Sequence, residues 1–387
     1  MYWYVNDNWK VRPNLTLNLG LRYEYTTVPF GVRLQKLNKI ADAPGLITFN
    51  EPHYPKTNFM PRIGFAFSPG GSQNASIRGG FGMGYDVLYD NIGILSPMPE
   101  FGSTVDVDLT SPSPNFLKNG GILPGGSGVT TFATVAAARA ATANHTVEEE
   151  KLPVSEQWSL GVQHTFAKSY TVEARYVGTR GYHLNVQERI NIQSKVSPSL
   201  FLPTFLSAPS QAQLDASPIT LSTIRAVPSL IPAYAAAGFT SNIVQFSLFG
   251  SSIYHGLALQ MNRRFTSGLQ FQAAYTFSHT IDDSTADFFS TVITPRRPQD
   301  FQNVAADRSN SALDRRHRLT VSAVYDFPWF KHSNWFLRNF ASNFEIAPAY
   351  TVETGEWGDV QSTLDSNING DSRRSSCLQP RRRSQSG

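Results

Sequence analysis

The chain has 387 residues, of which 41% are hydrophobic, 12% aromatic and only 16% charged, against roughly 25% charged in an average soluble chain. A net charge of +4 does not suit a nucleic-acid polyelectrolyte, and no run approaches the roughly 18 apolar residues of a transmembrane helix. Cys377 is the single cysteine, which excludes a disulfide framework and a structural zinc site within the chain. Low charge, high aromatic content and the lack of a helical span leave the β-barrel as the open membrane class.

The N-terminus, Met1-Tyr2-Trp3-Tyr4-Val5, has no basic segment followed by an apolar one, so no signal peptide is expected in it. After a first strand at Tyr2–Val11 comes the clearest element, Leu15–Tyr25. There Leu15, Leu17, Leu19, Leu21, Tyr23 and Tyr25 alternate with Thr16, Asn18, Gly20, Arg22 and Glu24. Eleven residues of unbroken period two put every apolar side chain on one face. Soluble strands usually run about five or six residues, whereas a tilted strand crossing a bilayer needs about nine to eleven. The same alternation predicts strands over 59–68, 76–87, 158–166, 170–176, 257–265, 269–278, 318–327 and 344–352, about ten in all.

Short turn-prone links (Arg12-Pro13-Asn14, Pro69–Asn74, Ala167–Ser169, Thr266–Gly268) alternate with long segments at 26–57, 88–154, 187–251 and 280–314. Short turns at one end and long loops at the other are the pattern of outer-membrane barrels. Aromatic residues collect at both strand ends. Trp9, Phe67, Phe166, Tyr170, Phe265, Phe327 and Trp329 lie beside short turns, while Trp3, Tyr23, Tyr25, Tyr85, Tyr176, Tyr275 and Phe277 lie beside long loops. The strand charges Arg22, Glu24, Arg62, Arg78, Asp86, Glu173, Arg175, Arg264, Arg318 and Asp326 take the other parity, which is expected to line the lumen. Lys or Arg on a lipid face near the midplane costs about 2–4 kcal/mol, so this segregation carries weight.

Several stretches resemble the barrel of TonB-dependent outer-membrane receptors, in particular the Oar-like subgroup. They are the run from Tyr4 to Val11, the run from Asn14 to Glu24, Asn58–Ser68, Ile77–Gly82, Tyr176–Gly181, Ala274–Asp283 and Asp314–Leu319. The resemblance covers residues 1–371 and implies an all-β, antiparallel transmembrane barrel, with about ten of roughly 22 strands present and no plug domain in the chain. It also implies binding or uptake of a solute of unidentified kind, with contact to TonB made only through a plug. Partners would be outer-membrane lipid and that solute, with no nucleic acid. Residues 372–387 form a basic irregular tail with no period-two signal, read as a frameshift or a gene-fragment boundary near residue 372, with a genuine basic tail as the alternative.

No enzyme is expected, and no catalytic residue, cofactor or metal ligand is assigned. The glycines Gly79, Gly80, Gly82 and Gly84 lack the Lys-Ser/Thr and following helix of a phosphate loop, and read as positions where a strand bends or admits neighbouring bulk. Asp365, Asn367, Asn369 and Asp371 match the start of a calcium loop, but Ser376 falls where the bidentate acid belongs, so an Asx-stabilised turn is expected. The eight histidines form no i, i+4 helical pair, and no Gly-x-Ser-x-Gly elbow appears. The Ala-rich run 135–143 reads as a short helix within a loop. Ligand contacts belong to the four long loops, with nothing in the sequence to choose among their residues. A passive ten-stranded porin is the alternative function. A soluble β-rich adhesin or enzyme would need a layer to cover the apolar faces.

Overall fold

A computed structural model of the chain describes residues 1–72, 74–86, 132–167, 169–283, 297–327, 329, 334–340, 344–358, 361–362, 365, 368–369 and 375–376. Ten principal strands run in order through one antiparallel sheet. They are β1 (Tyr2–Arg12), β2 (Leu15–Glu24), β3 (Phe59–Phe67), β4 (Ala75–Tyr85), β5 (Val154–Phe166), β6 (Tyr170–Arg189), β7 (Val244–Thr266), β8 (Leu269–Asp282), β9 (His317–Asp326) and β10 (Ala349–Glu353). Each pairs with the next, and among the described residues β1 and β10 do not pair with each other, so the sheet is open. Three two-residue pieces join its margins: Asn144–His145 beside β7, Ser309–Asn310 beside β8 and Glu345–Ile346 beside β9.

The register carries the expected alternation across neighbouring strands. Val5, Leu21 and Pro61 stand in one row, and Leu17 faces Trp9 on one side and Phe65 on the other. Leu19 and Leu21 are 39% and 38% exposed, and Ile63, Leu160 and Leu259 are also exposed. The apolar face therefore points outward, as period two predicts, while Arg22 lies on the other face in an ion pair with Glu24 at 2.9 Å. Such a face is stable in hydrocarbon and a liability in water.

The segregation of charge is less complete than strand parity in the sequence implies. Asp7 pairs with Leu19, and Arg263 pairs with Tyr170 and Phe271, which puts both on the outward parity. Arg263 sits beside the β7–β8 turn, with its guanidinium 5.5 Å from the centroid of the Tyr170 ring.

The expected loops 88–154, 187–251 and 280–314 shrink at their ends, because Val154, residues 187–189, 244–251 and 280–282 are strand. β6 and β7 reach 20 and 23 residues, about twice a bilayer crossing. Register shifts between Tyr182 and Leu184 and between Leu184 and Val186 break the alternation there, with His183 at φ 55°. Beyond such bulges the side chains change face, and the period-two signal stops marking the strand. The expected strand 344–352 is split into Glu345–Ile346 and β10, with Pro348 between them. Val87 lies outside the described residues. In the tail, Ser375–Ser376 pairs with Gln361–Ser362, and the rest of 372–387 lies outside the described residues.

The aromatic belts form lateral contacts. At the long-loop end Trp3 stacks on Tyr23 at 5.7 Å and Tyr23 meets Phe59 at 5.0 Å. On neighbouring strands Tyr176 and Tyr275 hold His255 and His317, each through a 2.7 Å hydroxyl–Nδ1 hydrogen bond. At the short-turn end Phe166 stacks on Tyr170 at 5.4 Å, and Phe327 meets Trp329 at 4.8 Å. Tyr85 departs from the expected belt and packs against a buried cluster at the loop side. Close approach explains two glycines: a Cβ on Gly178 would lie 2.2 Å from the Trp158 ring, and one on Gly79 would lie 2.5 Å from Phe65. Of the four glycines singled out in β4, Gly79 admits bulk in this way, whereas a Cβ on Gly82 would make only an ordinary contact and one on Gly84 would meet nothing within 4 Å.

Candidate functional site

The described parts of the long loops fold over the upper ends of the strands as a cap with its own core. Phe49, Phe239, Ile243 and Ala138 are buried together with Ala41, Ala43 and Ile47. A second cluster joins Val28, Val32, Tyr54 and Leu152 to Phe246 of β7, and so seats the cap on the wall. The expected helix in 135–143 forms as α1 (Val135–Ala141), with the Thr134 hydroxyl accepting from the Ala137 N–H at 3.2 Å as its N-cap.

Single polar side chains join loops far apart in sequence. The Gln35 amide, fully buried, donates to the carbonyls of Asn50 and Thr146 at 2.7 Å each and accepts from the Thr146 N–H at 2.9 Å. Arg139 of α1 donates to the carbonyls of Ala41, Asp42 and Ala237, and so pins three loop segments. Asn191 donates to the Ser241 carbonyl at 2.8 Å and accepts from the Ile243 N–H at 2.9 Å. His145 bridges the Gln245 side chain and the Thr48 carbonyl, and burial pushes its imidazole pKa down. Glu150 is 2% exposed and its Oε2 has no hydrogen-bond partner, so burial raises its carboxyl to about 8.

Of the four segments expected to meet ligand, 26–57 is described throughout. Residues 132–153 and most of 187–251 join it in the cap. Residues 88–131 and 284–296 lie outside the described residues. The buried joints were invisible in the sequence, since Gln35 and Arg139 carry no motif. Their partners lie 97 to 111 residues away, apart from Asn50.

The face expected to line the lumen is polar along β2–β8. It carries Arg62, Arg78, Glu173, Arg175, Gln260 and Gln272 on the parity opposite to the leucines and phenylalanines. Such a surface is suited to water and polar groups rather than to hydrocarbon. Among the described residues no group of three or more His, Cys, Asp or Glu is placed to hold a metal ion. Of the calcium-like run, Asn367 and Asp371 lie outside the described residues. The Asn369 N–H donates to Asp365 Oδ1 at 3.1 Å, an Asx-type contact.

A family model described as an outer membrane beta barrel domain matches residues 1–387. The chain belongs to that family. No curated protein matches it. Among solved structures, the outer membrane transporter YddB from Escherichia coli is similar at 11% identity and a TM-score of 0.42, over 84% of this chain and 30% of that one. The FrpB iron transporter from Neisseria meningitidis (F3-3 variant) is similar at 11% identity and a TM-score of 0.43, over 90% of this chain and 32% of that one. The pyoverdine outer membrane receptor FpvA from Pseudomonas aeruginosa PAO1, bound to pyoverdine, is similar at 9% identity and a TM-score of 0.40, over 92% of this chain and 34% of that one. The chain thus spans about a third of the length of each. As an outer-membrane barrel domain, the chain resides in the outer membrane of a Gram-negative-type bacterium, with its leucine and phenylalanine face toward lipid.

Proposed function

We propose that this barrel domain forms part of a TonB-dependent receptor that binds a solute at the cell surface and admits it to the periplasm. The observation that carries the reading is the division of labour between the two ends of the sheet. One end closes with links as short as Pro13–Asn14 and Ser267–Gly268, while the other carries a folded cap held by Gln35 and Arg139. A passive pore needs only a lined wall. A folded roof over the mouth fits capture followed by gated passage, and gating is what an energised receptor adds. The run Asp7–Glu24 supports the same family reading. The work is binding and gating, with no covalent step.

The test begins with topology. An epitope inserted beside Leu206, which is 99% exposed in the 190–243 segment, should be reached by antibody on intact cells, and one at Gly70–Gly71 only after the outer membrane is opened. Solute depletion by cells carrying the gene should then stop when tonB is deleted. Depletion that persists without TonB would favour a passive porin and end the receptor reading.

A further inference from the structure

We infer that the inner wall between β3 and β6 is a binding site for a solute carrying clustered oxyanions, carboxylates or phosphates. The inference deepens the receptor reading and rests on it for the assignment of this face to the lumen. The geometry starts from the middle of the patch. On β4 the inward positions are Ser76, Arg78, Gly80, Gly82 and Gly84, and on β5 they include Ser155, Ser159 and Gly161. Small residues dominate this floor, with Gln157 and Gln163 of β5 as its larger inward side chains, and a strand on each side supplies a guanidinium that leans over it.

Arg62 of β3 lies across the floor from one side: a Cβ built on Gly82 would meet its Cγ at 3.6 Å. Arg175 of β6 lies across it from the other, with its Cγ 3.4 Å and its Nε 3.5 Å from a Cβ built on Gly161. Arg78 rises from the floor itself, in one row with Gly161 and Arg175. Two adjoining hollows of about 630 and 230 Å³ result, and they share Gly80, Ser159 and Arg175.

The charge is not balanced among the described residues. Glu173 pairs with Arg175, whereas among the described residues Arg62 and Arg78 make no ion pair and no side-chain hydrogen bond. Ser76 Oγ, which borders the smaller hollow, is buried and has no hydrogen-bond partner. Three guanidinium forks against one carboxylate, with an unspent hydroxyl beside them, match an oxyanion ligand. Arginine binds carboxylate and phosphate through paired N–H donors, and such charge-assisted bonds are the strong ones. Because β3–β6 are consecutive strands, the three arginines come to one floor through this chain's own register.

The experiment uses the full chain in detergent micelles with inorganic tripolyphosphate and citrate as probes, titrated by calorimetry. The double variant Arg62→Gln/Arg175→Gln should weaken binding of at least one probe by about a hundredfold, roughly tenfold for each guanidinium removed. Gly82→Leu places bulk on the floor without changing charge, and its Cβ has only an ordinary contact with Arg62. It should weaken binding about tenfold, as blocking an interaction of this strength predicts. Arg318→Gln removes an inward arginine of β9 that lies 3.6 Å from Glu353, and should leave binding unchanged. Equal binding by wild type and the double variant would overturn the proposal, as would an Arg318→Gln loss as large as that of the double variant. Undetectable binding of both probes to a folded wild type would overturn it too. The lumen assignment is read separately, with a Cys377→Ser background carrying Ser159→Cys or Phe81→Cys in proteoliposomes. A membrane-impermeant maleimide should label the first and spare the second. Reversed labelling would sink the barrel orientation and the site with it. Correct labelling with no effect of the double variant would sink the anion site alone.

Discussion

In the wall, Leu19, Leu21, Ile63 and Leu160 turn away from the chain's own body and stay exposed beside their strand neighbours. In the cap, Phe49, Phe239 and Ile243 are fully buried by other loops of the same chain. The wall is thus held by its backbone ladder and by the solvent it meets, since hydrocarbon leaves every strand polar group to pair within the sheet. The cap is held as a soluble protein is, by apolar burial and by a few satisfied polar side chains. One chain therefore folds under two solvent regimes, and perturbations should separate them.

The largest expected effect concerns the cap alone and follows Glu150. Its folded pKa of about 8 lies above the ordinary value of 4.5, so between those values the folded cap holds a proton that the unfolded chain has released. The Glu150 contribution to cap stability should be greatest below pH 4.5, fall as pH rises and level off above pH 8, by at most about 4–5 kcal/mol, while buried His145, held neutral, works in the opposite sense at low pH. Glu150→Gln should flatten that slope. Limited proteolysis of the 26–57 segment at pH 5 and pH 8.5 measures it, with trypsin resistance of the membrane-embedded strands as the internal reference. A wild-type cap equally resistant at both values would show that Glu150 is solvated.

The wall answers to parity instead. Phe81→Arg places a guanidinium on the lipid face and should cost about 2–4 kcal/mol of assembly if that position lies near the midplane. Gln272→Arg, on the inward face of β8, should be much milder. Heat-modifiable mobility after membrane assembly compares the two. Equal tolerance would mean that the outward face does not meet lipid.

How much of each region could be read in advance follows from the same division. Period two is a local property, so Leu15–Glu24, Phe59–Phe67 and 269–278 were visible strand by strand, down to the face each residue takes. The upper halves of β6 and β7 were not, because the bulge at His183 shifts the parity and the alternation stops meaning strand. The cap was legible only as loop, apart from its Ala-rich helix. Its buried joints bring together residues such as Gln35 and Thr146, 111 positions apart, and nothing in a single sequence marks such a pair. The inner-wall site was half legible. Parity put Arg62, Arg78 and Arg175 on one face, but only the register across β3–β6 brings them around one floor.

A cap mutation of intermediate size checks the independence of the two regions. Gln35→Leu keeps the volume but strands the Thr146 N–H and two carbonyls in a buried place, at a cost of roughly 2–3 kcal/mol. The 26–57 and 132–153 segments should become protease-sensitive together while heat-modifiable assembly of the wall stays as in wild type. Joint loss of both would show that cap and wall fold as one unit.

The smallest effect gauges depth at the short-turn end. Arg263 is on the outward face, yet its Nη2 donates to the Thr266 carbonyl at 3.1 Å and its guanidinium lies over Tyr170. A cation over an aromatic ring contributes about 0.5–1 kcal/mol when exposed, and an outward Arg costs about 0–1 kcal/mol near a membrane interface. These nearly cancel. Arg263→Leu should therefore change assembly by less than about 1 kcal/mol if the β7–β8 turn lies at the periplasmic interface. At the midplane the same substitution would relieve a buried charge and stabilise by about 2–4 kcal/mol. Urea titration of the membrane-assembled protein, comparing Arg263→Leu with Tyr170→Leu, tells the two apart, since loss of the ring removes the favourable interaction and leaves the charge. Tyr170→Leu should be the worse of the two at either depth. Only the sign of Arg263→Leu reports where the wall leaves the lipid.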